Sequence, residues 1–236
     1  MNIRELEGRL EFLENRVKAQ EKELMTLKDI EAIKKLQKAY GYYVEHMMYQ
    51  EIVDCFSDSP DVVLNWLEGQ WLGKEGVKKY FAFMQKAPPT FQHQVMQIAG
   101  IVDIELDGKT ASGRWYAFGG IFFPLPEGMR RSFVTGIYEN RYIKEDGVWK
   151  ILSIKWVIPY AVSMPGEWRM PEDVNRPYLA GQWRGPAPDV PIDSKDMRYV
   201  TGYIFPFHYK HPVTGRPTSE DEKNARLKEM KQGTSG

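Results

Sequence analysis

Between residues 91 and 160 the chain runs through four long alternating segments separated by little more than turns. Residues 91–105 alternate apolar and polar side chains and carry Gly100, a residue that marks a bulge inside a strand. Asp107-Gly108 is a hairpin turn signal and leads into residues 110–123, with Gly119-Gly120 as a bend. Residues 131–143 follow, and Glu145-Asp146-Gly147 turns them into residues 148–160. Consecutive strands joined by such short turns can only pair antiparallel, because a parallel crossover needs a dozen residues or more. A twisted meander of this length has one apolar face to bury. Helices must cover it.

The helices come first. Residues 28–48 carry Ile30, Ile33, Leu36, Tyr40, Tyr43 and Val44 at helical spacing. A short helix near 49–56 ends at Ser57-Asp58-Ser59-Pro60, a loop signal. Residues 62–66 read as a short strand, and Gly73 opens a helix with Val77, Tyr80, Phe81 and Met84 on one face. Helices followed by successive antiparallel strands give an α+β domain with a curved antiparallel sheet wrapped on three helices.

Upstream, residues 2–28 carry a narrower pattern. Ile3, Leu10, Val17 and Leu24 fall seven apart, with Leu6, Leu13, Gln20 and Leu27 between them. This is an a/d seam with a period of 3.5 residues, which suits a partner helix better than a broad core face. Gln20 on the seam costs stability and fixes register. The expected division is a coiled-coil helix at 1–28, a domain at 29–160, and an extended C-terminal arm and tail at 161–236. Ten of the fifteen prolines lie between Pro159 and Pro217, among Trp168, Tyr178, Trp183, Tyr199 and other aromatics. So much proline forbids a regular sheet or helix. So many aromatics imply an arm packed on the domain or on a neighbouring subunit. Residues 218–236 read as a short charged helix and a tail.

Lys+Arg and Asp+Glu are 32 each, so no concentrated basic surface argues for nucleic acid. Hydrophobic residues at 42% allow a sizeable core. The lone Cys55 permits no internal disulfide and no CxxC metal site, and it favours a reducing compartment. No apolar leader or membrane-length stretch is present, so the expected setting is cytoplasmic, with no membrane partner. His208-Tyr209-Lys210-His211 lacks further ligands at metal spacing, and no metal or cofactor is expected.

The segments KLQKAYGYYVEHMMYQEIVDCFSD, LEGQWLGKEGVKKYF, DGKTASGRWY and GIYENRYIKEDGVWKILSIKW, in this order, resemble SnoaL-like proteins of the nuclear transport factor 2-like (NTF2-like) superfamily. The resemblance covers about residues 28–160. It implies a cone: a curved sheet closing over helices around a deep, largely apolar pocket. That superfamily holds dehydratases, isomerases, cyclases, lyases and plain binding proteins, so function must be argued from the pocket.

By the same resemblance, Tyr40 and Glu45 stand where such dehydratases carry a Tyr and an acid five residues apart. That acid is usually Asp, so Glu45 matches in charge and not in length. His93 stands 53 residues after Tyr40, where the catalytic His is placed on a strand facing the acid. His is the side chain most easily poised to move a proton near neutral pH. Tyr43 shares a helix face with Tyr40. On the strands, Arg114, Tyr116 and Phe118 share one face, and family position favours that face inward. Tyr138 and Asn140 would orient substrate oxygens, and Trp156 would supply a flat apolar wall.

The expectation is a cofactor-independent lyase of dehydratase or deformylase type. His93, Glu45 and Tyr40 would be catalytic, and Tyr43, Arg114, Tyr116, Phe118, Tyr138, Asn140 and Trp156 would bind a small aromatic or polycyclic substrate. A non-catalytic binding protein or an isomerase of the same fold is the alternative. The seam and the arm imply a homo-oligomer. Seam composition leans to a dimer, the resemblance implies a trimer, and of the two the trimer is the expectation.

Overall fold

The computed structural model describes residues 3–66, 69–87, 91–125, 128–163, 203–204, 206–207 and 210–233. Most of the expected arm, including Trp168, Tyr178, Trp183 and Tyr199, lies outside the described residues.

Helix α1 runs unbroken over Ile3–Glu45. Its first part is exposed on every side, and burial begins where the apolar spacing changes: Ile33, Leu36, Tyr40 and Tyr43 are buried against the domain. The handover falls at Asp29, whose carboxylate accepts from Lys144 Nζ (2.7 Å) and Trp149 Nε1 (2.9 Å). These two side chains flank the turn between the last two strands. The helix stops at Met47, which takes a positive φ of 49°. Met48 N–H then bonds back to Tyr43 O, and Met47 N–H to Val44 O, closing a Schellman motif without glycine. Lys223 Nζ completes the cap by donating to the carbonyls of His46 and Met47 (2.6 and 3.0 Å).

Helix α2 (Tyr49–Asp54) is one and a half turns long. Strand β1 (Val63–Trp66) follows, then β2 (Gly69–Leu72), helix α3 (Gly73–Met84), and the meander β3 (Gln92–Ile104), β4 (Thr110–Leu125), β5 (Gly128–Glu145) and β6 (Val148–Ser163). Helix α4 (Glu220–Gly233) ends the described chain. The sheet order is β2-β1-β6-β5-β4-β3, antiparallel except where β1 runs parallel to β6. The short strand β2 was not expected from the sequence. It pairs with β1 and has no buried residue of its own, so it leaves no periodic trace.

The meander carries the expected bulge: the β3–β4 register shifts between Ile98 and Ile101, with Ala99 at φ 51°. A second shift between Thr135 and Ile137 bends β5 against β6. Such bulges bend a sheet and sharpen its twist. The result is a curved, unclosed sheet whose concave face takes the buried side of α1. Among the described residues no helix is long and apolar enough to cross a membrane.

Candidate functional site

On the concave face, one row of side chains from each strand points inward. Along β5 these are the even-numbered residues, buried at Val134, Tyr138, Asn140 and Tyr142. Along β4 they are the odd-numbered ones, with Trp115 and Ala117 buried. The β3 register pairs His93 with Ile121, which in turn pairs with Ser132 of β5. His93, Ile121 and Ser132 therefore stand side by side across three strands.

These residues open onto a cavity of about 760 Å³. Helix α3 forms one wall with Tyr80, Phe83 and Met84, and Trp71 of β2 adjoins it. Phe91 and Phe123 meet edge to face on the opposite side, their centroids 5.4 Å apart. Lys79 and Arg130, both exposed, put two positive charges among the lining residues. The cavity is thus largely apolar and aromatic, with basic groups where it meets solvent.

An aromatic cluster closes its floor. The indole of Trp156 stacks flat on Tyr138, and Trp66 meets it edge-on at 5.6 Å. His93 also packs edge-on to Trp156, with centroids 6.0 Å apart. Gly136 makes this packing possible, because a Cβ there would stand 2.7 Å from Trp156 Nε1. Burial pushes the His93 imidazole down to about 4, so it is neutral at pH 7. The indole N–H groups of Trp66 and Trp156 and the hydroxyl of Tyr40 are buried and make no hydrogen bond in the structure. Buried donors in a native protein are nearly always satisfied, by protein, by water or by a bound molecule.

The residues expected at the site divide into three groups. His93 and Trp156 line this cavity, and Tyr138 lies directly behind Trp156. Tyr40 is buried one layer further back, edge-on to Phe56 and Phe81, and burial raises its hydroxyl well above the usual range.

Glu45 does not join His93. It lines a separate depression of about 420 Å³ with His46, Gln92, Gln94, Lys223 and Arg226. Gln92 and Gln94 alternate with His93 along β3 and so point to the other face of the strand. Burial raises the Glu45 carboxyl. Tyr43 is covered by the C-terminal segment: His211 stacks on its ring at 5.3 Å and Phe207 meets it edge-on.

The expected inward face of β4 is corrected. Arg114, Tyr116 and Phe118 project from the outer face; Tyr116 is 59% exposed, and Arg114 pairs with Glu139 (2.6 Å). The inner positions go to Trp115 and Ala117, because Trp115 Nε1 donates to the buried Tyr142 hydroxyl (2.9 Å). Asn140 faces inward but belongs to a polar network beneath α1. Its Nδ2 donates to Gln37 Oε1 (2.9 Å), as does the Tyr142 hydroxyl (2.6 Å), and Gln37 Nε2 donates to Gln97 Oε1.

Sequence reasoning missed Trp66, Trp71, Lys79, Phe83, Arg130 and Ser132. Arg130, Ser132 and Val134 carried a signal, since they continue the parity of Tyr138 along β5. Among the described residues, no three His, Cys, Asp or Glu side chains gather closely enough to hold a metal ion.

Comparison with known proteins gives the same frame. The SnoaL-like domain matches residues 25–155. Among solved structures, a type 2 hexachlorocyclohexane dehydrochlorinase (LinA) is similar, with a TM-score of 0.52 at 18% identity, over 61% of this chain and 95% of that one. A protein from Novosphingobium aromaticivorans assigned as a scytalone dehydratase has a TM-score of 0.51 at 15% identity, over 61% of this chain and 92% of that one. Another from the same organism, assigned as an aromatic ring hydroxylase, has a TM-score of 0.50 at 21% identity, over 58% and 94%. At these identities the likeness is one of fold.

Proposed function

This chain belongs to the SnoaL-like domain family of the NTF2-like superfamily, and from that premise we propose that it is a cofactor-independent lyase acting on a small aromatic, oxygenated molecule. The observation that carries the reading is His93: a neutral imidazole set against the aromatic floor of a cavity large enough for a small ligand.

In this reading the aromatic part of the substrate lies along Trp156 and Tyr80, and an anionic or phenolic oxygen sits near Lys79 and Arg130. Neutral His93 takes a proton from the substrate. The C–H or O–H electron pair becomes a new double bond, and the leaving group departs with its own bonding pair. For a dehydration, the imidazolium returns its proton to the departing hydroxide, and water is released. For loss of formaldehyde, the O–H proton is taken and the adjacent C–C bond breaks. Its electrons pass into a quinone methide, formed when a para-hydroxybenzylic alcohol has first lost water (hydroxide from the benzylic carbon together with the phenolic proton), and the imidazolium returns its proton to the phenolate that rearomatisation leaves. A positioned acid–base group supplies on the order of 10²–10⁴ in rate, and holding the substrate in an apolar cavity adds the effect of proximity. The dehydrochlorinase and dehydratase assignments of the two similar structures are consistent with elimination chemistry on this fold.

Glu45 lies outside the cavity, which favours a second reading: a protein that holds the same ligand class without turning it over. One experiment separates the two. The purified chain is incubated, without added metal or cofactor, with phenolic diols, diaryl compounds and hydroxysteroids, and products are followed by mass. Loss of water or formaldehyde that disappears in His93→Ala supports the lyase. Retention of a compound recovered unchanged supports the binding protein. The buried Cys55 thiol, which burial holds protonated, fits a reducing compartment such as the cytoplasm.

A further inference from the structure

The stem of α1 stands outside the domain with its seam open. Residues 3–25 are exposed throughout, including Ile3 (74%), Leu10 (58%) and Val17 (50%). The helix is tied to its own sheet at Asp29, which accepts from Lys144 and Trp149. In proteins most helical stability comes from packing an apolar face rather than from propensity. A seam of seven apolar residues and one Gln over about 36 Å of helix needs a cover.

The charges beside the seam identify that cover. With Ile3 and Leu10 at a, the e positions are Glu7, Glu14, Glu21 and Lys28, and the g positions include Arg9, Arg16 and Glu23. In a parallel, in-register coil each g side chain meets the e side chain five residues later in its partner. The pairs are then Arg9 with Glu14, Arg16 with Glu21, and Glu23 with Lys28, all of opposite sign. The sign order reverses in the last pair at both positions together, so the match is kept. An antiparallel pairing with the same seam overlap sets Arg16 against Arg16 and Glu14 against Glu14. Gln20 makes the same choice. In register and parallel it faces its own copy, amide to amide, whereas antiparallel it faces Leu10.

We infer that residues 3–28 form a parallel, in-register coiled coil with a second copy of this chain. The seam ends at Leu27, because the next heptad positions, Glu31 and Lys34, are charged while Ile30 and Ile33 turn toward the chain's own sheet. Each copy therefore diverges into its own domain at Asp29, and the unbroken helix ties domain orientation to the coil. This assembly is independent of what the cavity does.

The test uses the full chain. Leu6→Cys is oxidised under mild conditions; native Cys55 is wholly buried, and the unsubstituted chain is the control. The expected result is efficient cross-linking of Leu6→Cys to itself, with no mixed product when it is combined with Leu24→Cys, the residue that Leu6 would face in the antiparallel arrangement. Mixed cross-links dominating would overturn the parallel arrangement. A monomeric mass of the unsubstituted chain by light scattering at micromolar concentration would overturn self-association, leaving the seam to the chain's own arm or to another protein. Arg9→Glu should weaken assembly about tenfold, since two symmetric pairs change from attraction to repulsion. Adding Glu14→Arg should restore it. Failure of the second change to restore assembly would sink the charge pairing.

Discussion

Trp156 lies flat on Tyr138, with centroids 5.6 Å apart and planes 5° from parallel, and His93 meets the same indole edge-on. Tyr138 and Trp156 are direct register partners on β5 and β6, so the stack is set by strand pairing. His93 is held on the same face by β3, the edge strand, with β4 and β5 lying between it and β6. The imidazole thus faces a rigid apolar surface. Replacing His93 by Ala should lower kcat by about 10²–10⁴ on any substrate found, with little change in KM. Glu45→Gln should change turnover by less than about threefold, because Glu45 lines the other depression. A comparable loss from Glu45→Gln, measured by steady-state kinetics, would return the carboxylate to the mechanism.

The acid side of the rate profile follows from the same burial. A general base works in its neutral form, and His93 holds that form down to about pH 4 instead of its usual 6.5. The kcat/KM of the free enzyme should stay flat as pH falls from 7 to about 5 and decline only near 4. A decline centred near 6.5 would mean that the imidazole is solvated when it acts.

Much of this was legible before the fold was seen, and the failures have physical causes. The helical repeat upstream of the domain, the meander and its bulge near Gly100 left strong periodic signals. The inward face of β4 did not. Arg114, Tyr116 and Phe118 on one side and Trp115 and Ala117 on the other are equally plausible by residue type, and period two cannot choose between them. The choice was made by Trp115 Nε1, which finds its acceptor only on the helix side, at Tyr142. Tyr43 shared a helix face with Tyr40 in sequence, yet a segment more than 160 residues later covers it. No local pattern encodes that contact.

All three described histidines, His46, His93 and His211, are held below their usual pKa by burial, His46 and His93 at about 4. For such groups the unfolded chain binds more protons than the folded one between pH 6.5 and 4, so stability is complete above 6.5 and is lost as pH falls through that window. His211 adds a structural consequence. Its Nε2 donates to Glu51 O (2.8 Å), and its Nδ1 accepts from the amides of Val213 and Thr214 (3.2 Å each). Protonating Nδ1 removes that acceptor. Thermal unfolding midpoints should drop between pH 6.5 and 4.5, and hydrogen exchange at residues 213–214 should rise first. Midpoints that stay level across the window would refute the linkage.

Gln37 is fully buried and serves three partners, accepting from Asn140 and Tyr142 and donating to Gln97. Gln37→Leu keeps most of the volume but strands those groups beneath α1. Leaving a buried polar group unsatisfied costs about 1–3 kcal/mol, so a loss of about 3 kcal/mol is expected, with Tyr142→Phe costing less. Urea unfolding should show a lower midpoint at unchanged slope. A loss below about 1 kcal/mol would show that water replaces the amide.

Gly119 tests the link between strand pairing and the site. A Cβ there would stand 1.8 Å from Gln94 O, a backbone atom that cannot rotate away. Gly119 pairs with Val95, two residues along β3 from His93. Gly119→Ala must therefore push β3 and β4 apart beside the imidazole, or shift the register that sets His93 against Ile121. The expected outcome is a lower unfolding midpoint together with loss of activity or ligand retention. Gly8→Ala serves as the contrast: nothing lies within 4 Å of its added Cβ, so it should raise stem helicity by roughly 1 kcal/mol and leave the cavity unaffected. If Gly119→Ala matched Gly8→Ala in stability and function, β3 would have to tolerate separation from β4, and strand pairing could not be what positions His93.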